Sequence, residues 1–132
     1  MLRVFEAFSG VGAQRMALRN LQEDFEVVAT SDIDESAILA YYYVHKFPQV
    51  ANSKASFLDK KKYLIAKGSY TKSSIEKISA EKIDILYNAM VTTNNLGDIT
   101  KIDVDDIPPH DLLLILFLVK IFPLLVKIKA WI

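Results

Sequence analysis

The sequence predicts an α/β fold on a parallel, doubly wound sheet. Three observations carry that prediction. An apolar run (Leu2, Val4, Phe5, Ala7, Phe8) suits a strand buried on both faces, as parallel strands are. It leads into Gly10-Val11-Gly12, where missing Cβ atoms let the backbone turn tightly and approach a ligand. A second strand then ends in an acid, Asp32, 22 residues after Gly10, as in α/β units that hold a nucleoside.

Each element follows from its own pattern. Ala13–Leu21 reads as a helix, with Met16, Ala17 and Leu21 as its apolar stripe and Arg15, Arg19 and Asn20 off it. Its N-terminal N–H groups and positive dipole end face the glycine turn, a place that favours a carboxylate or phosphate. Phe25–Thr30 is the second strand. Glu35–Lys46 is a second helix, with Ile38, Leu39, Tyr42 and Tyr43 at helical spacing and Pro48 beyond its end. Either Asp32 or Asp34 suits its N-cap, a role Asp32 could combine with binding ribose hydroxyls. Residues 49–78 are polar and lysine-rich (Lys60-Lys61-Lys62) and read as an excursion from the core, the lysine run as a solvated face. Ser79–Val91 is a further helix, capped by Ser79, with Ile83, Leu86, Tyr87 and Met90 on one face. Leu96–Thr100 contains a Gly-Asp turn, and Pro108-Pro109 forbids helix before a buried strand over Asp111–Ile115.

Composition narrows the function classes. The 132 residues suffice for one domain with a real core, and 52% are apolar. Sixteen basic and sixteen acidic side chains cancel, so no overall charge draws the chain to nucleic acid or an acidic membrane. The absence of cysteine excludes disulfides, cysteine-ligated metal and thiol catalysis, and fits a cytoplasmic chain. His45 and His110 make no metal spacing, so no metal is expected. Arg15 stands where the dinucleotide fingerprint has its third glycine, which disfavours NAD.

Four patches in order resemble the DNA (cytosine-5) methyltransferases of bacterial restriction–modification systems, over about the first 113 residues. Phe8-Ser9-Gly10-Val11-Gly12 is similar to that family's first motif and Ser31-Asp32-Ile33-Asp34 to its second. Gly97-Asp98-Ile99 is similar to the third, and Pro108-Pro109-His110-Asp111-Leu112-Leu113 to the lead-in to the fourth. The wording of 2–8 and of Ile85-Leu86-Tyr87-Asn88-Ala89 resembles the CpG-type subgroup. The resemblance implies a Rossmann-like fold, truncated to an incomplete doubly wound sheet, and S-adenosylmethionine as cofactor. By it, the glycine turn of Ser9, Gly10, Val11 and Gly12 would hold the methionine carboxylate. Phe8 and Ile33 would flank the adenine, Asp32 would take the ribose hydroxyls, and Asp98 would accept from the adenine amino group beside the Ile99 backbone.

The same resemblance implies a chemistry this sequence cannot perform. In the family a cysteine in a Pro-Cys-Gln loop adds to C6 of a flipped-out cytosine. A glutamate protonates N3, and C5 takes the methyl group. Here the loop reads Leu118-Val119-Lys120, and the glutamate motif, the arginine motif and the target-recognition domain would lie beyond Ile132. Back-translating a family-like Leu-Leu-Thr-Tyr-Ser-Phe-Pro-Cys-Gln-Asp-Ile-Ser stretch and moving the frame by one base after the second leucine spells Leu114 to Pro123. The expectation is therefore residues 1–117 as the N-terminal part of a cofactor-binding catalytic domain, and 118–132 as a tail of frameshifted origin ending at a stop codon. DNA, the partner of the intact family, is not expected to be bound specifically. A complementing downstream chain and a non-enzymatic nucleotide-binding module are the alternatives. Leu112–Val126 is apolar but only 15 residues long, with Lys120 inside it, so no membrane span is expected.

Overall fold

The computed structural model describes residues 1–48 and 54–116. Three parallel strands form one sheet in the order β2-β1-β3: β1 (Leu2–Ala7), β2 (Phe25–Ser31) and β3 (Leu112–Ile115). β1 is central and buried from Val4 to Ala7, as an apolar run between two neighbours should be. Four α-helices accompany the sheet: α1 (Ala13–Asn20), α2 (Glu35–Val44), α3 (Phe57–Ala66) and α4 (Ala80–Thr92). This is a Rossmann-like α/β fold with a small parallel sheet.

The helix starts follow the capping rules. Asp34, Ser56 and Ser79 accept hydrogen bonds from the amides of Ala37, Asp59 and Lys82, three residues on. Asp34 is thus the cap of α2, and Asp32 is left for another role. α1 has no side-chain cap; Gly12 precedes it in the left-handed region.

Two apolar clusters form the core. One joins α2, α3 and α4 through Ile38, Tyr42, Leu64, Ile75, Ile83, Leu86, Ala89 and Met90. The other lies against the sheet, where Phe5, Ala7, Ala29 and Leu96 meet Ile102 and Ile107. The span 49–78, expected to stand off the core, supplies Leu64 and Ile75 to the larger cluster. Each fully buried aliphatic of this size stabilises the fold by about 1.5–3 kcal/mol. Of the run Lys60-Lys61-Lys62, expected as a solvated face, Lys62 is exposed but the other two are paired. Lys60 is buried and pairs with Asp84 at 2.8 Å, and Lys61 pairs with Glu76 at 3.0 Å. Polar composition hid a helix whose apolar residues are few but well placed.

Two helix stripes also differ from expectation. α1 buries none of its residues fully; Met16 and Leu21 are exposed, while Arg15 turns inward over the Phe47 ring, 4.9 Å from its centre. On α2 the buried tyrosines are Tyr41 and Tyr42, and Tyr43 faces out. Both shifts have one cause: Glu6 is buried on β1, and its partners must turn toward it. Among the described residues no helix is long and apolar enough to cross a membrane. The tail expected from 118 onward lies outside the described residues.

Candidate functional site

The end of β1 is bent into an unusual path. Phe8, Gly10 and Gly12 all have positive φ (54°, 53° and 79°). Such a conformation in a bulky residue like Phe8 costs on the order of 1–3 kcal/mol and is typical of positions held for a purpose. The two glycines serve different ends. A Cβ on Gly12 would lie 2.1 Å from His45 Nε2 and 2.7 Å from the Tyr41 ring, so its space is filled by α2 and not by a ligand. A Cβ on Gly10 would touch Leu116 at 3.7 Å, an ordinary contact, and no other described residue comes within 4 Å of it.

Behind the turn lies a charged cluster that the sequence did not reveal. The Tyr41 hydroxyl donates to Glu6 Oε2 (2.5 Å) and accepts from Arg15 (3.1 Å). His45 Nε2 meets the Val11 carbonyl at 3.1 Å, which fixes the proton on that nitrogen. Burial raises the Glu6 carboxyl above its usual range, against the Tyr41 bond and the Arg15 charge. Burial, then the positive charges of Arg15 and Arg19, lower His45. Tyr41 and His45, four residues apart on one face of α2, therefore buttress the turn from within.

Asp32 ties that turn to the next strand. Its Oδ2 accepts from the Gly10 amide (2.8 Å) and its Oδ1 from the Asp34 amide (2.9 Å). Beside it, Thr30 pairs with Asn95 in a parallel bridge, and Ser31 Oγ donates to the Gly97 carbonyl at 2.7 Å. Asp98 follows. Its Oδ1 accepts from both the amide and the hydroxyl of Thr100, which holds the carboxyl below its usual range.

These pieces enclose a slot of about 70 Å³, lined by Phe8, Ser31, Asp32, Ile33, Gly97, Asp98 and Ile99. Its three apolar walls remain open to solvent: Phe8 is 41% exposed, Ile33 45% and Ile99 36%. Large apolar side chains converging on a small open cleft, with carboxylates at its edge, suit a flat ring carrying hydrogen-bond donors. Five of the nine residues picked from the sequence meet here. Ser9, Gly10, Val11 and Gly12 do not line the slot; they form the turn that Asp32 joins to it.

Helix α3 supports the far wall. It ends in a Schellman motif, with Gly68 and Ser69 amides bonded to the Ile65 and Leu64 carbonyls. The freed Lys67 carbonyl accepts from the Asp98 amide at 2.7 Å. The two glycines, 68 and 97, permit this contact, because a Cβ on Gly97 would sit 2.2 Å from the Lys67 oxygen and one on Gly68 2.7 Å from Asp98 Cβ. The signal for it was present in the sequence as a serine cap at 56 and a glycine at 68 bounding one helix.

No family model matches the sequence. Individual relatives do. The type II methyltransferase M2.ScrFI of Lactococcus lactis subsp. cremoris is 33% identical over 119 residues, 84% of this chain and 33% of the relative. The orphan methyltransferase M.SssI of Spiroplasma monobiae is 30% identical over 132 aligned positions, covering 92% of this chain and 34% of the relative. The chain is a member of this bacterial and phage methyltransferase family. A phage relative, the orphan methyltransferase M.Rho11sI of Bacillus phage rho11s, is 44% identical over 62 residues. This methyltransferase-family chain spans about one third of the length of the first and second of these relatives, and its 132 residues include no cysteine.

Proposed function

We propose that the chain is the S-adenosylmethionine-binding N-terminal portion of a DNA (cytosine-5) methyltransferase of a restriction–modification system, unable to transfer a methyl group by itself. The observation that carries this reading is the slot, where three segments distant in sequence bring apolar Phe8, Ile33 and Ile99 together with the carboxylates of Asp32 and Asp98. The residues fit the cofactor. Phe8 and Ile33 would hold the adenine between them, and Asp32 would accept from the ribose hydroxyls. Both Thr100 bonds fall on Asp98 Oδ1, so Oδ2 would accept from the adenine amino group. The methionine carboxylate would sit at the glycine turn near the start of α1. When bound, the cofactor supplies an electrophilic methyl group on a sulfonium.

Binding alone is not turnover. Attack on C6 of cytosine needs a thiolate, and none can come from a chain without cysteine. The order Leu114 to Pro123 is what a one-base shift of a Pro-Cys-Gln reading frame encodes, which supports a frameshifted origin for that stretch. DNA sequence across the codons for 113–132 tests this: an intact Pro-Cys-Gln set must appear one frame over. Half of a split enzyme, completed by a separate chain that brings the cysteine this one lacks, is the second reading. A nucleotide-binding module for NAD is disfavoured by Arg15, which stands where the dinucleotide fingerprint has its third glycine. Titration calorimetry with S-adenosylhomocysteine tests the main reading. Heat of binding that disappears in Asp32→Ala supports it, and a folded sample that gives none sinks it.

A further inference from the structure

The two walls of the slot come from segments more than 60 residues apart, joined behind it by the Thr30–Asn95 bridge and across it by Ser31 Oγ, which donates to the Gly97 carbonyl at 2.7 Å. One further side chain reaches the amides of both walls. Asn95 is 3% exposed, and its Oδ1 accepts from the Asp32 amide at 3.1 Å and from the Gly97 amide at 2.8 Å. Each of those amides belongs to a residue that lines the slot. Asp32 begins the wall made with Ile33; Gly97 begins the wall made with Asp98 and Ile99.

The arrangement is economical in freedom. An amide oxygen with two in-plane lone pairs accepts two N–H groups from fixed directions. A buried N–H without an acceptor costs the desolvation of that group, so neither wall moves without breaking a bond. The Asn95 backbone is itself held: it bridges to Thr30, the Leu96 amide donates to the Thr30 carbonyl at 2.8 Å, and the Asn95 amide donates to the Met90 carbonyl at 2.8 Å. The side chain is thus a short rigid strut standing on the end of α4 and the edge of β2.

We infer that Asn95 is a positioning residue for the cofactor slot: it sets the separation of the Asp32–Ile33 and Gly97–Ile99 walls, and hence the fit of a flat base between them. The inference rests on the proposed function for the identity of the ligand, but the strut itself is independent of it. Two variants of the full chain test both parts. Asn95→Ala removes the acceptor; Asn95→Asp keeps an acceptor oxygen in the same place.

Amide hydrogen exchange followed by NMR reads the strut without any ligand. In Asn95→Ala, Asp32 and Gly97 lose protection together by at least about tenfold, while the Phe5 and Ala29 amides of the sheet keep theirs; Asn95→Asp restores both. Should Asn95→Ala fail to fold, Asn95→Asp decides, since its protection at the two amides must equal the parent's. Retained protection of either amide in a folded Asn95→Ala, or protection lost uniformly across the sheet, overturns the strut.

Calorimetry with S-adenosylhomocysteine reads its consequence. Affinity falls at least about tenfold in Asn95→Ala and recovers in Asn95→Asp; binding within twofold of the parent in Asn95→Ala overturns the positioning role. A parent chain that gives no heat refutes the proposed function instead, and the exchange pattern alone then upholds or overturns the strut.

Discussion

The glycine turn after β1 and the Gly97–Asp98 rim are both built on positive-φ glycines, yet they are held by different kinds of group. The turn is braced by side chains. Tyr41 and His45 fill the space over Gly12, and Glu6 and Arg15 complete the cluster behind it. The rim is tied to the slot by Asn95 and Ser31, but its outer side is braced by main chain. Gly97 lies against the Lys67 carbonyl, and Asp98 bonds to it. Side chains can rotate away and can change charge, whereas a carbonyl fixed at a helix end does neither. The turn should therefore yield to substitution and respond to pH, and the rim should do neither.

The largest effect is expected at the rim. Gly97→Ala puts a Cβ 2.2 Å from the Lys67 oxygen at a φ of 80°. Left-handed strain of roughly 1–2 kcal/mol and overpacking of roughly 1–3 kcal/mol add, and urea unfolding should show the sum. Gly12→Ala meets the His45 and Tyr41 rings, which as side chains can shift where a main-chain carbonyl cannot, so its loss in the same assay should be smaller although its nearest contact is as short. If Gly12→Ala proves the costlier, the distinction between the two braces is wrong.

Acid should separate the two regions next. The His45 value is lowered on folding, so the folded chain binds fewer protons than the unfolded one. Its contribution is then fully present above the ordinary histidine value near 6.5, and it is lost as pH falls through the lower folded value. Below about pH 6.5 the melting temperature should drop, with the Val11 and Gly12 amide signals moving first. His45→Gln should flatten that slope while leaving Asp98 and Thr100 unchanged. A slope that survives His45→Gln assigns the acid response to other groups.

The smallest effects come from the helix caps. Ser56→Ala removes the cap of α3 and should cost about 1 kcal/mol, with faster exchange at the Asp98 amide and none at Gly12. Asp34→Ala should cost a similar amount on α2 and show the reverse pattern. Equal changes at both amides in either variant would mean that the braces are coupled.

Much of this was legible in the sequence. The apolar run of β1, the glycine turn and the periodicity of 79–91 are local patterns, and β1, the turn and α4 lie within a residue or two of where those patterns put them. Of the nine positions the motifs named, Phe8, Asp32, Ile33, Asp98 and Ile99 come together at one slot, because short motifs name their residues directly. Local patterns could not say that Asp34 and not Asp32 caps α2, since both acids suit the position and only the Gly10 amide decides between them. Ser56 and Gly68 bound α3 in the sequence, but three lysines and scattered serines mask the few apolar residues it buries.

By itself the sequence determined the strand–turn–helix order and the acids that follow it, because backbone propensity, glycine freedom and apolar spacing act over a handful of neighbours. The tertiary structure alone decided which of those residues share the slot, and that Lys67 and Asn95 hold it. Those contacts join segments some 30 to 60 residues apart, each with a main-chain group on at least one side, which every residue carries and no sequence pattern marks.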